Sequence, residues 1–287
     1  MSTQHHRLDR RLNAFRPDLA DEDLKRHVEA TRFTVGEPAA VAAPVASVHQ
    51  APDASAGMDT QFLHGDTVRV FERKDGWAWV QNVRDNYVGY VRESELGDVP
   101  QAPTHIVCIP RSFVYPEADM KAPPVRTQSI GARLAVRDVI EKGTTRYALL
   151  ESGEAMIAPH LRLLDEASAD FVSVAEAFLG TPYLWGGASG FGIDCSGLVQ
   201  LSLFMAGREV PRDTDMQEAA LGSPISEASM LSRGDLVFWR GHVAIMMDGK
   251  TVVHANGYTM TVSQESLAEA IQRITPLYGQ PTGYRRL

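Results

Sequence analysis

The segment from Gly186 to Gly207, GGASGFGIDCSGLVQLSLFMAG, joins a glycine-rich loop to a run that is apolar almost all round. A helix without a polar face has nowhere to lie but inside a domain core. Cys195 stands at the junction, with Asp194 before it and Ser196 after it. At a helix start the unpaired N–H groups and the positive dipole end favour thiolate over thiol and can also receive an oxyanion. An inert core cysteine has no use for the open backbone of glycines at 186, 187, 190, 192 and 197. Cys195 is therefore the candidate nucleophile.

A nucleophilic thiol needs a base, and two histidines follow on strand-like runs: His242 opens HVAIMMD after Gly241, and His254 lies in TVVHAN. A turn around Asp248, Gly249 and Lys250 predicts that the two runs form a hairpin. A three-residue loop pairs 247 with 251, so 254 faces 244 and His242 lies diagonally beside His254 on the same face. A two-residue loop would place the rings on opposite faces. Cys, His and His would also suit Zn²⁺ with one open position, although such sites rarely use a glycine-framed helix start. Our reading takes no metal and no cofactor.

The apolar spacing of Phe171, Val174, Ala175, Phe178 and Leu179 predicts a helix ending at Gly180. With the buried helix after Cys195 and the strand-like runs DLVFWR, HVAIMMD and TVVHAN, the C-terminal part reads as α+β, a central helix against an antiparallel sheet.

Ahead of it the texture is all-β. Short runs DTVRVFER, WAWVQNV and YVGYVRE alternate with turn signals such as Lys74-Asp75-Gly76. Gln61, Gly65, Val70 and Val91 have counterparts at Gln128, Gly131, Val136 and Ile157, offsets of 66 or 67 residues, so the β texture is repeated. The first copy, with HGDTVRV, DGWAWV and GYV, resembles the bacterial Src-homology-3-like barrel found beside cell-wall hydrolase domains. The second lacks the paired tryptophans. Trp77, Trp79 and Tyr90 either fill the small barrel or meet a ligand. The stretch GEPAAVAAPVASVHQAPDASAG reads as a partly extended lead-in, and Asp21 as the cap of a short helix in an ordered arm. Cys108, in the apolar run THIVCIP, reads as a buried strand residue.

The motifs YLWGG, DCSGLVQ, GDLVFW, HVAIMMDG and VVHA together resemble the signature of NlpC-type, papain-like cysteine peptidases, from about residue 168 to the end. The resemblance implies Cys195 as nucleophile, His242 as base and His254 as the residue that orients it, with Tyr183 hydrogen-bonding near the nucleophile. The expected fold is α+β: an arm over 1–43, Src-homology-3-like barrels over 44–100 and 101–166, and a papain-like peptidase domain over 167–287. The implied reaction is hydrolysis of the γ-D-glutamyl to L-diamino acid (meso-diaminopimelate) bond of peptidoglycan stem peptides, on freed murein peptides with an N-terminal L-Ala, in cell-wall recycling. The alternative is an amidase or other endopeptidase on intact exported wall; a wall-binding protein without catalysis would lack one of these residues. Asp194, Ser196, Tyr183 and, on the first barrel, Tyr87 (or Tyr90) are expected to meet the substrate. Asp194 has two readings: it pairs with the substrate's ammonium, or it caps the Cys195 helix.

A formal net charge of −8 over 287 residues leaves no surplus of positive charge for nucleic acid. No run approaches the roughly 18 apolar residues of a membrane span. The N-terminal MSTQHHRLDRRLNAFRPDLADEDLKR has no apolar core of a secretory signal, which predicts a cytoplasmic protein acting on peptidoglycan-derived peptides.

Overall fold

The computed structural model describes residues 8–99 and 102–287. It divides into two compact units, Met1–Pro100 and Gln101–Leu287.

The first unit is built on a seven-stranded sheet, in spatial order Met58–Leu63, Val45–His49, Val88–Arg92, Trp77–Asn82, Thr67–Lys74, Glu37–Val41 and Leu96–Gly97. Val48, Phe62, Val68, Val80, Val91 and Tyr87 are in its core. The predicted turn is present: Lys74 pairs with Trp77, and Asp75 and Gly76 both take positive φ (52° and 77°), as a tight two-residue hairpin requires. The lead-in reading is corrected, because Glu37–Val41 is a strand of this sheet and the barrel begins before residue 44. The arm is ordered over its described residues, and Asp21 caps the 3-10 turn Glu22–Leu24 by accepting from Asp23 N–H. Residues 1–7 of the arm lie outside the described residues.

The first part of the second unit is a small β assembly with its own core of Val107, Val114, Ala132, Leu134, Ala148, Leu150 and Met156. Its element order repeats that of the first unit. The bulge between Val70 and Glu72 recurs between Val136 and Asp138, and Gly65 and Gly131 both have positive φ (80° and 86°). Cys108 is corrected: it follows the strand His105–Val107, not within it, and is half-buried.

The remainder of the second unit is the predicted α+β arrangement. Four helices, α1 (Phe171–Glu176), α2 (Cys195–Met205), α3 (Thr214–Ala220) and α4 (Leu267–Tyr278), accompany a six-stranded antiparallel sheet. Its order is Ser223–Pro224, Gly283–Arg286, Leu236–Trp239, His242–Met246, Thr251–Asn256, Thr261–Ser266. α2 is buried along nearly its whole length and packs on the His242–Met246 and Thr251–Asn256 strands, as a helix apolar all round must. α1 is shorter than predicted: Val172, Ala175 and Phe178 face inward, while Leu179 is exposed and Gly180 (φ 80°) turns the chain away.

Candidate active site

Asp194 sets the start of α2. Its Oδ1 accepts from Gly197 N–H at 2.7 Å and from the Ser196 hydroxyl at 3.2 Å, and its Oδ2 accepts from Gly186 N–H at 3.0 Å. Arg212, 1% exposed, donates from Nη1 to Oδ1 (3.0 Å) and from Nη2 to Oδ2 (2.6 Å), a two-pronged ion pair. Arg212 also donates to Ser196 Oγ at 2.7 Å. Of the two readings of Asp194, the cap is the one the geometry bears out. The premise of an unpaired carboxylate awaiting a substrate ammonium is corrected, because Arg212 already supplies the cation. Ser196 is likewise turned into this network and buried.

The glycines of the loop have steric reasons. A Cβ on Gly197 would lie 2.4 Å from the Gly187 carbonyl oxygen, so only glycine lets the helix start close onto the loop. The tip of the loop is held by the preceding β assembly: Arg111 Nη1 donates to the Gly190 carbonyl (2.6 Å), and Ser129 Oγ accepts from Gly190 N–H (2.9 Å).

Cys195 Sγ, at the head of α2, hydrogen-bonds to the Gly241 carbonyl at 3.9 Å; among the described residues no hydrogen bond joins it to an imidazole. The cysteine is 7% exposed. Burial, and next the charge of Asp194, push its thiol up to about 11; Val243 N–H, the Thr214 hydroxyl and Arg212 pull the other way and are outweighed. The expectation of a depressed thiol is therefore corrected in direction: burial and the Asp194 charge outweigh the groups that favour the thiolate. Burial, then the neighbouring His254 and Arg273, hold His242 down at about 3. Both shifts point the same way, favouring a thiol beside a neutral imidazole. No protein acceptor takes the Cys195 N–H among the described residues, which leaves it for an oxyanion.

The hairpin follows the three-residue loop. Ile245 pairs with Val253 and Met246 with Val252, and Met247 N–H donates to the Thr251 carbonyl at 2.8 Å. His242 and His254 are accordingly diagonal neighbours, with ring centroids 5.0 Å apart and Nε2 of His242 2.8 Å from Nδ1 of His254. Those two nitrogens face each other, so they do not converge with the sulfur on a shared point as zinc ligands do. His242 Nδ1 is the ring nitrogen left for the thiol. His254, 1% exposed, has Glu265 Oε1 2.8 Å from its Nε2, a close contact without good hydrogen-bond alignment. Arg273 of α4 pairs with Glu265 and stacks over the Tyr258 ring at 4.6 Å.

Tyr183 is held beside this centre by its N–H, which donates to the Met260 carbonyl (2.9 Å). Burial, then the nearby Cys195 and Asp194, push its hydroxyl up to about 12. Tyr87 is corrected: it is 3% exposed in the core of the first barrel and has no surface to offer a ligand. Trp77 and Trp79 are buried but do not fill the barrel core, which takes Ala78 and Val80 from the same strand. Trp79 packs on the opposite face with Ala14, Leu19 and Phe71 and under Arg16 (4.4 Å to the ring), and with Tyr90 both tryptophans line a cleft there. Arg212, Thr214, Glu265 and Arg273 were missed by sequence reasoning. PRDTD carries the first two a short way beyond α2, but nothing local marks their role.

Residues 48–96 match the bacterial dipeptidyl-peptidase Sh3 domain family, and residues 180–275 match the NlpC/P60 family. Dipeptidyl-peptidase 6 of Lysinibacillus sphaericus is 28% identical over 264 residues, 84% of this chain and 94% of the relative. The γ-D-glutamyl-L-lysine dipeptidyl-peptidase of Bacillus subtilis is 29% identical over 234 residues, 75% and 77% of the two chains. An NlpC/P60 family protein of Bacillus cereus shares the fold, with a TM-score of 0.73 at 23% identity over 87% of this chain and 99% of the other. Cysteine, paired histidines and domain order thus converge, and the chain belongs to the NlpC/P60 family of cysteine peptidases, with a bacterial dipeptidyl-peptidase Sh3 domain ahead of its peptidase domain.

Proposed function

We propose that the protein hydrolyses the γ-D-glutamyl to L-diamino acid bond of freed peptidoglycan stem peptides that begin with L-Ala, in cell-wall recycling. The observation that carries the chemistry is the file Cys195, His242, His254, in which His254 occupies one imidazole nitrogen of the base and leaves the other for the thiol. The substrate reading is supported by two relatives named as dipeptidyl-peptidases, one for a γ-D-glutamyl-L-lysine bond. Enzymes of that description remove two residues from a free N-terminus, as release of L-Ala-γ-D-Glu requires.

On attack, the Cys195 proton passes to His242 Nδ1 as sulfur bonds to the carbonyl carbon. The oxyanion meets the Cys195 N–H, a donor whose loss typically costs on the order of 3 kcal/mol. The imidazolium then protonates the leaving amine and the C–N bond breaks; water attacks the thioester with His242 again taking a proton, the C–S bond breaks to free the carboxyl product, and the proton returns to the Cys195 sulfur. Both shifts favour the neutral pair, so in this reading the proton moves as sulfur bonds to carbon.

The test is incubation with L-Ala-γ-D-Glu-meso-diaminopimelate, its L-Lys analogue, the N-acetylated tripeptide and intact peptidoglycan, with products identified by mass. Release of L-Ala-γ-D-Glu from the free tripeptides alone is the expected result. Equal cleavage of the acetylated peptide, or release from intact wall, would replace this reading with an endopeptidase or amidase of the wall.

A further inference from the structure

His242, His254 and Glu265 form a diagonal line across three adjacent strands. In the last two of these strands, His254 pairs with Ser263, which puts Glu265 two residues along on the same face. The spacing is 2.8 Å at each step, His242 Nε2 to His254 Nδ1 and His254 Nε2 to Glu265 Oε1. Arg273, reaching from α4, pairs with the same carboxylate oxygen, Oε1, that faces His254 Nε2.

We propose that Glu265 is a positioning residue of the catalytic machinery: its carboxylate sets the tautomers of both histidines and supplies the negative charge that stabilises the His242 imidazolium formed during attack. A carboxylate accepts only, so His254 carries its proton on Nε2 and turns a bare Nδ1 to His242. His242 must then carry its proton on Nε2 and present a bare Nδ1 to the thiol. One carboxylate, two steps from the base along a line of close polar contacts, thus decides which nitrogen receives the Cys195 proton. The charged and titratable groups around His242 are Cys195 from α2, His254 from the adjacent strand, Glu265 from the strand beyond it, and Arg273 from α4, with the Asp194–Arg212 pair beyond the thiol. Among these, Glu265 favours a protonated His242, whereas His254 and Arg273 oppose it. Without the carboxylate, Arg273 would face the histidines uncompensated. The inference rests on the cysteine and histidine chemistry proposed above and not on the identity of the substrate.

The experiment therefore needs no substrate. In a Cys108→Ser background, alkylation of Cys195 by iodoacetamide is followed from pH 5 to 10, with Tm measured alongside. Reaction at neutral pH draws on the small thiolate–imidazolium population, whereas reaction at alkaline pH draws on thiolate beside neutral histidine. Glu265→Gln should lower the neutral component about tenfold, the effect of a modest loss of imidazole basicity, while sparing the alkaline rise. A general loosening of the site would instead raise reactivity at both ends. Unchanged neutral reactivity in a folded Glu265→Gln protein would overturn the proposal. A second measurement keeps the test decisive even if that variant unfolds: ¹⁵N spectra of the unaltered protein, assigned by difference with His254→Asn, should show His254 protonated at Nε2. A His254 protonated at Nδ1 would overturn the proposal equally.

Discussion

Two carboxylate–arginine pairs flank the thiol and the imidazole, and they do different jobs. Asp194 and Arg212 lie behind the nucleophile, with side chains 12% and 1% exposed; Glu265 and Arg273 lie behind the base, at 20% and 25%. The deep pair spends its hydrogen bonds on backbone and on Ser196: it ties Gly186, Gly187 and Gly197 together and fixes where the sulfur sits. It does so although the Asp194 charge disfavours the thiolate. The shallow pair touches a ring nitrogen and thus acts on protons. Position of the nucleophile and protonation of the base are secured separately, and substitutions should tell the two apart.

The largest effects belong to the groups that both pairs serve. Cys195→Ala and His242→Ala should each lower kcat by about ten-thousandfold or more with little change in Tm, while Cys108→Ser retains activity. Comparable losses from the two cysteine substitutions would remove the basis for the comparison. Next comes the deep pair. Arg212→Met leaves a buried carboxylate without its cation and should cost about 3–5 kcal/mol in denaturant unfolding. Asp194→Asn keeps a competent cap yet strands the buried guanidinium, so it too should destabilise. A stable Asp194→Asn protein with a raised KM for free peptides would instead show that the charge serves the substrate.

On the shallow side, His254→Asn keeps a polar partner for His242 but breaks the line to Glu265. It should reduce kcat by about tenfold to a hundredfold, the range for losing a hydrogen bond to a charged group, and leave KM unchanged. A variant as inactive as Cys195→Ala would mean that His254 carries a proton itself.

What was legible in the sequence follows the same division. Cys195 announced itself because helix start, glycine frame and apolar run are all local. The histidines were legible through loop length, since a strand period of two turns a three-residue turn into a shared face. The sign of the thiol's shift was not legible, because the burial that raises it is made by the whole domain. Arg212 and Glu265 were missed because an ion-pair partner is chosen by the fold, 18 residues from Asp194 in one case and across a strand pair in the other. Glu37–Val41 was misread because Ala and Pro weaken a strand pattern; Pro38 is tolerated where Leu96–Gly97 has not yet paired on its free side, at Ala40 and Val41.

The smallest expected effect separates what Glu265 does for folding from what it does for reactivity. Its carboxyl is held below the usual range by His254 and Arg273, in spite of partial burial that pushes it up. A carboxyl depressed in the folded state stabilises that state above its unfolded value, about 4.3, and loses the contribution as pH falls through the folded value. At pH 7, therefore, Glu265→Gln should be less stable than the unaltered protein. The pair is partly open to water, so the difference should stay under about 1 kcal/mol. The gap in Tm should shrink as the pH is lowered from 6 to 3, because protonation makes the glutamate resemble the glutamine. A gap that widened on acidification would show that the carboxyl is raised in the folded state, and the shallow pair would then not hold a charge beside His254. A gap of several kcal/mol at pH 7 would make it an architectural pair like the deep one, and the distinction between the two sides of the site would fall.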